Sequence, residues 1–154
     1  MYSYVDSAHM AHHDLKGHTG GFICFRSGVF AVKSKKQRLN SNSSCEAELI
    51  GAGEYLKQII WARNFMIAQG YEMKPTIIFQ DNESTIKLIK YGRRSSLSKT
   101  RHIDNKYFDI HGKFIDGEIK TVSNQQEKCG LMGCRSHFKA INSCFLEIKF
   151  SMRI

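Results

Sequence analysis

The chain reads as an α/β protein, a mixed five-stranded sheet with flanking helices. Three observations predict this. Residues 2–6 alternate in period two, the signature of a strand. From Leu49 to Ile67 the apolar residues recur at helical spacing instead. The segments follow the order βββ-α-β-α-α-β-α, a strand meander succeeded by alternating helices and strands, which calls for one mixed sheet covered by helices.

In the first strand Tyr2, Tyr4 and Asp6 alternate with Ser3 and Val5, and a polar stretch, residues 9–19, follows. Residues 20–26 read as a second strand, Ser27-Gly28 as a hairpin turn and residues 29–33 as the returning third strand, an antiparallel meander. Ser43 with Glu46 three residues later fits a capping box, so a long helix begins near Ser43. Leu49, Ala52, Leu56, Ile59, Ile60, Met66 and Ile67 carry its core face to Gly70. After Pro75, residues 76–80 form a buried strand, and residues 82–90 a short helix with Asp81 at its cap. A basic, Ser-rich loop spans residues 92–100. Residues 102–115 read as a helix with Ile103, Tyr107, Ile110 and Phe114 on one face, ended by Gly117, and residues 118–122 as the fifth strand. Beyond Gln125 the patterning weakens. Residues 1–124 are therefore expected to form the core, and residues 125–154 a divergent C-terminal helix and tail.

A length of 154 residues suits one domain with a real hydrophobic core. No apolar run approaches the roughly 20 residues of a membrane helix, and the first residues lack the charged and apolar blocks of a signal peptide. An intracellular, cytoplasmic location is expected, with no membrane partner. Lys and Arg number 23 against 14 acidic residues, a formal charge of +9, which favours polyanions. The five cysteines are odd in number and lack framework spacing, so free thiols are expected. Cys129, Cys134, His137 and Cys144 match neither zinc-finger nor knuckle spacing. His9, His12, His13 and His18 have no acidic or cysteine pair at ligand spacing and read as a polar loop.

Three carboxylates stand apart. Asp6 closes the first strand, Glu48 lies in the first turns of the long helix, and Asp81 follows Thr-Ile-Ile-Phe-Gln. Taken singly, each has an ordinary explanation: a strand end, a solvated helix face, a helix cap. The predicted topology puts the first and fourth strands side by side at the sheet centre, with the helix reaching over them, so the three converge. Such a cluster repels itself unless a cation binds, and hard Mg²⁺ prefers oxygen ligands. Two such ions support in-line phosphodiester cleavage. With the glutamate second in order rather than last, the arrangement differs from a transposase or integrase core.

Seven motifs follow in sequence: Tyr4-Val-Asp-Ser-Ala-His9, Lys16-Gly-His-Thr-Gly-Gly21, Lys33-Ser-Lys-Lys-Gln37, Ser43-Ser-Cys-Glu-Ala-Glu-Leu49, Ile60-Trp-Ala-Arg63, Gln80-Asp-Asn82 and Lys99-Thr-Arg-His-Ile-Asp104. Together, over about residues 2–124, they resemble the ribonuclease H domain of copia-type retrotransposon polyproteins. The resemblance implies a ribonuclease H-like fold and cleavage of RNA in RNA–DNA hybrids with Mg²⁺ or Mn²⁺, as two ions. It places Asp6, Glu48 and Asp81 on the first three catalytic acids and metal ligands of that family. Lys35, Lys36, Arg38, Arg93, Arg94, Lys99, Arg101 and His102 are the expected nucleic-acid contacts. A reverse transcriptase domain of the parent element, and a virus-like particle around an intact one, are the implied surroundings.

Two departures from the family pattern shape the reading. Gly130, in Lys128-Cys-Gly-Leu-Met-Gly-Cys134, stands where the family carries its fourth acid, with Glu127 the nearest acidic residue. Met1 begins directly on the first strand, where the family has a preceding reverse transcriptase, as in a separated fragment of a mobile element. The alternative reading is a catalytically inactive module whose basic tracts, residues 33–38 and 93–101, track phosphates without turnover.

Overall fold

The computed structural model describes residues 1–25, 28–92 and 105–123. Strand β1 (Tyr2–Ala8) is central, flanked on one side by β2 (His18–Phe25) and β3 (Gly28–Lys36) and on the other by β4 (Thr76–Gln80) and β5 (Ile119–Ser123). The order is β3-β2-β1-β4-β5. The meander is antiparallel, whereas β1 pairs with β4, and β4 with β5, in parallel. Parallel neighbours need a crossover. The helix α1 (Ser44–Ala68) lies between β3 and β4 in the chain, and α2 (Glu83–Tyr91) and α3 (Asn105–Ile115) lie between β4 and β5.

Period two along β1 divides its side chains between two faces. Ser3, Val5 and Ser7 are buried beneath the helices, and Val5 joins Ile23, Ile78 and Ile119 of the sheet against Leu49, Ile59, Ile89 and Ile110 of the helices. On the opposite face Tyr4 stacks on Phe22 of β2 and Phe79 of β4, with ring centroids 4.6 and 4.4 Å apart. Both contacts are in-register pairs, Tyr4↔Phe22 and Tyr4↔Phe79, so the ring stack helps to hold the register.

Several elements run longer than their patterning predicts. β1 continues past Asp6 to Ala8, β2 begins at His18, and β3 extends to Lys36. Residues 34–36 look like a loop because they are polar. Their backbone is nonetheless laddered, His18↔Lys36 through Gly20↔Ser34, on an edge strand whose lysines are solvated. Charges on an edge cost little and discourage further pairing. The histidine loop is tied down as well, with His12 Nε2 3.0 Å from His18 Nδ1, His18 Nε2 2.7 Å from Ser34 Oγ, and His9 Nδ1 2.8 Å from Ser41 Oγ.

Ser43 is the N-cap of α1, its Oγ accepting from the Glu46 N–H at 3.2 Å. The return bond of the capping box falls one residue earlier, from the Asn42 N–H to Glu46 Oε2 at 2.7 Å. α1 ends at Ala68, before Gly70 in the left-handed region at φ 87°. Asp81 is not the cap of α2. Asn82 is, its Oδ1 accepting from the N–H groups of Ser84 and Thr85 at 3.0 and 3.2 Å. The described part of α3 covers Asn105–Ile115, and residues 102–104 of the helix expected there lie outside the described residues. Among the described residues, Cys24 and Cys45 form no disulfide. The other three cysteines, His137, Glu127, Gly130 and the whole C-terminal region expected over 125–154 lie outside the described residues, as does the Ser27 half of the hairpin turn. No helix among the described residues is long and apolar enough to cross a membrane.

Candidate metal centre

The last Cα partners in the β1–β4 ladder are Tyr4 and Phe79. Asp6 lies two residues beyond Tyr4, and Asp81 two beyond Phe79. The parallel register thus delivers both aspartates to the same end of the β1–β4 pair, Asp6 still within β1 and Asp81 just past β4, near the carboxyl ends of the strands where α/β proteins place their ligands. Glu48, in the second turn of α1, reaches the same point from above. One carboxylate oxygen from each of Asp6, Glu48 and Asp81 can be chosen so that all lie within 4.8 Å of one another. Asp81 is exposed, Asp6 half-buried and Glu48 buried, so the cluster opens to solvent on the Asp81 side.

Glu48 is held at both oxygens. Oε1 accepts from the Ser7 backbone N–H at 3.0 Å, and Oε2 from the Gln80 side-chain Nε2–H at 2.9 Å. Burial pushes its pKa up to about 8, and the negative charges of Asp6 and Asp81 add to the rise. The hydrogen bonds from Gln80 and Ser7 oppose it. An acid so placed is costly to ionise alone and gains most from a cation. The donor set fits a hard divalent ion, since all three groups are carboxylates and, among the described residues, no sulfur or imidazole joins them. The cap by Asn82 matters for this, because it relieves Asp81 of helix-capping and leaves its carboxylate for the cluster.

Of the predicted nucleic-acid contacts, Lys35, Lys36 and Arg38 are exposed at the end of β3 and in the segment after it. Lys36 pairs with Asp14 at 2.7 Å, and that contact holds the Asp14 carboxyl below its usual range. Arg93, Arg94, Lys99, Arg101 and His102 lie outside the described residues. Sequence reasoning missed Gln80 and the Ser7 N–H. The signal for Gln80 was present, because period two puts it on the buried face with Thr76 and Ile78.

No protein-family model matches the chain. Among solved structures it is similar to LC11 ribonuclease H1, isolated from compost by a metagenomic approach, with TM-score 0.58 at 14% identity over 82% of this chain and 85% of that one. A structure of the same LC11 enzyme in complex with an RNA/DNA hybrid matches at TM-score 0.55 and 12% identity, over 82% and 86% of the two chains. The fold is therefore ribonuclease H-like. In sequence the chain is 32% identical over 107 residues, 70% of its length, to the retrovirus-related Pol polyprotein from transposon TNT 1-94 of Nicotiana tabacum. It spans about 8% of that relative. The protein is a ribonuclease H-like domain of the retrotransposon polyprotein type.

Proposed function

We propose that this domain cleaves the RNA strand of RNA–DNA hybrids in a reaction that depends on Mg²⁺ or Mn²⁺. The observation that carries the reading is the convergence of Asp6, Glu48 and Asp81 at the ends of β1 and β4. The similarity to a hybrid-bound ribonuclease H1 fold and to a transposon Pol polyprotein supports it.

Asp6, Glu48 and Asp81 would hold the metal, as a pair of ions. When bound, the metal supplies charge neutralisation at the reacting phosphate and a nucleophilic water at neutral pH. The chain's own contribution is positional. Ser7 and Gln80 fix the Glu48 carboxylate, the β1–β4 register sets the two aspartates side by side, and the exposure of Asp81 leaves a path for the substrate. Lys35 and Arg38 meet backbone phosphates without reading sequence, with the basic residues 93–101 as further contacts. The reverse transcriptase part of a polyprotein is the proposed neighbour, and a virus-like particle in the cytoplasm the proposed setting.

The test is cleavage of a labelled RNA–DNA hybrid by the purified chain with Mg²⁺ or Mn²⁺, beside an Asp6→Asn control. Metal-dependent cleavage lost in the control is the expected result. Folded protein that binds the hybrid in a salt-dependent way, yet never cleaves it, would overturn the enzymatic reading in favour of a binding module.

A further inference from the structure

Gln80 is the last residue of β4, 1% exposed, on the face that packs beneath α1. Its Nε2 lies 2.9 Å from Glu48 Oε2, while the Ser7 N–H lies 3.0 Å from Glu48 Oε1. Ser7 directly follows Asp6, and Gln80 directly precedes Asp81. Each aspartate therefore has a chain neighbour that grips one oxygen of the glutamate between them. Once ionised to hold a cation, the Glu48 carboxylate only accepts hydrogen bonds, so the Gln80 amide turns its NH₂ toward it, as the 2.9 Å contact has it. Its Oε1 is then left buried with no hydrogen-bond partner among the described residues. An unpaired buried acceptor is a cost to folding. An apolar residue of like size avoids that cost, so the contact with Glu48 is what the glutamine contributes.

We propose that Gln80 is a positioning residue of the metal centre, fixing the plane of the Glu48 carboxylate so that its remaining lone pairs face the ion. The inference rests on the metal-binding reading of Asp6, Glu48 and Asp81 given above. A glutamate side chain reaching in from a helix keeps rotational freedom about its terminal bonds. One donor on each oxygen removes that freedom before the ion arrives, and outer hydrogen-bond partners of this kind govern metal affinity. The clamp also ties the glutamate to both strand ends, so all three ligands move as one unit.

The test measures Mn²⁺ binding by loss of the electron paramagnetic resonance signal of the free aqueous ion. It compares the wild type, Gln80→Met, which conserves volume without a donor, and Gln37→Met. Gln37 is the control because it is equally buried at the seam between sheet and α1, bonding Thr19 Oγ1 and the Ala47 carbonyl at 2.8 Å each, and touches none of the acids. Circular dichroism establishes that each variant is folded. The expected result is affinity weaker by roughly 10- to 100-fold in Gln80→Met, with Gln37→Met holding the wild-type value. Wild-type affinity in Gln80→Met, or an equal loss in Gln37→Met, would overturn this inference while leaving the metal centre standing. Wild type that binds no Mn²⁺ would overturn the metal-centre reading and this inference together.

Discussion

Gly51 of α1 rests so closely against Ser7 of β1 that a β-carbon at that position would collide with the Ser7 Oγ and press on Thr19. Gly51 follows Glu48 by three residues, so both occupy one face of the helix. The missing side chain is what lets α1 settle onto β1 and Glu48 reach the Ser7 N–H. Gly51→Ala should destabilise the fold by ~1–3 kcal/mol through overpacking and weaken Mn²⁺ binding as Glu48 is lifted. Urea denaturation and metal titration check both effects. Unchanged stability would show that the seam relaxes at no cost.

Asp81 and Asn82 are neighbours with separate tasks, and substitution should separate them. Asn82→Ala removes the cap of α2 and should cost about 1 kcal/mol of stability, with hybrid cleavage retained. Asp81→Asn leaves the cap intact and should abolish metal-dependent cleavage. It also removes a negative charge from the acidic cluster, so the metal-free protein should melt higher than wild type. Thermal denaturation in EDTA and the cleavage assay distinguish the two variants.

The raised pKa of Glu48 sets a pH dependence whose sign is opposite to that of an ordinary salt-bridged carboxylate. Between the usual glutamate value of 4.5 and about 8, the folded metal-free chain keeps a proton that the unfolded chain has released. Stability from this group is therefore lost as pH rises through that window, with a slope approaching ~1.4 kcal/mol per pH unit. Denaturation in EDTA from pH 5 to 8 should show this slope in wild type, and Glu48→Gln should flatten it. Divalent metal competes with the proton and should restore stability at the alkaline end.

Lys35 and Arg38 are exposed and bear on hybrid binding through charge. Replacing either by Ala should weaken binding for all sequences alike and reduce the slope of log affinity against log salt by about 1. A loss that depends on hybrid sequence would assign these residues a different role. Lys36 should matter less, because Asp14 already neutralises it at 2.7 Å.

Gly130→Asp restores an acid where the resemblance places the family's fourth ligand. It should raise the cleavage rate and lower the Mg²⁺ concentration needed for half-maximal activity. A variant indistinguishable from wild type would mean that the domain manages with Asp6, Glu48 and Asp81.

The sequence by itself determined the element order as far as β5, the start of α1 at Ser43 and the identity of the three converging acids. Strong local signals sufficed for these: alternation in residues 2–6, a short apolar run after Pro75, a Ser-x-x-Glu cap, and a helical apolar stripe from Leu49. Polarity misled at residues 34–36, because an edge strand needs only backbone partners and its lysines face water. The cap of α2 was ambiguous for a different reason. Asp81 and Asn82 are both good capping residues, and local propensity cannot choose between them. The choice fell to where β4 ends against β1, which sends Asp81 to the cluster and leaves Asn82 to turn its Oδ1 onto the helix N-terminus. The grip of Ser7 and Gln80 on Glu48 was likewise decided only in three dimensions. It joins residues 41 and 32 positions apart in the chain, and contacts of that range follow from sheet register and helix packing rather than from any local pattern.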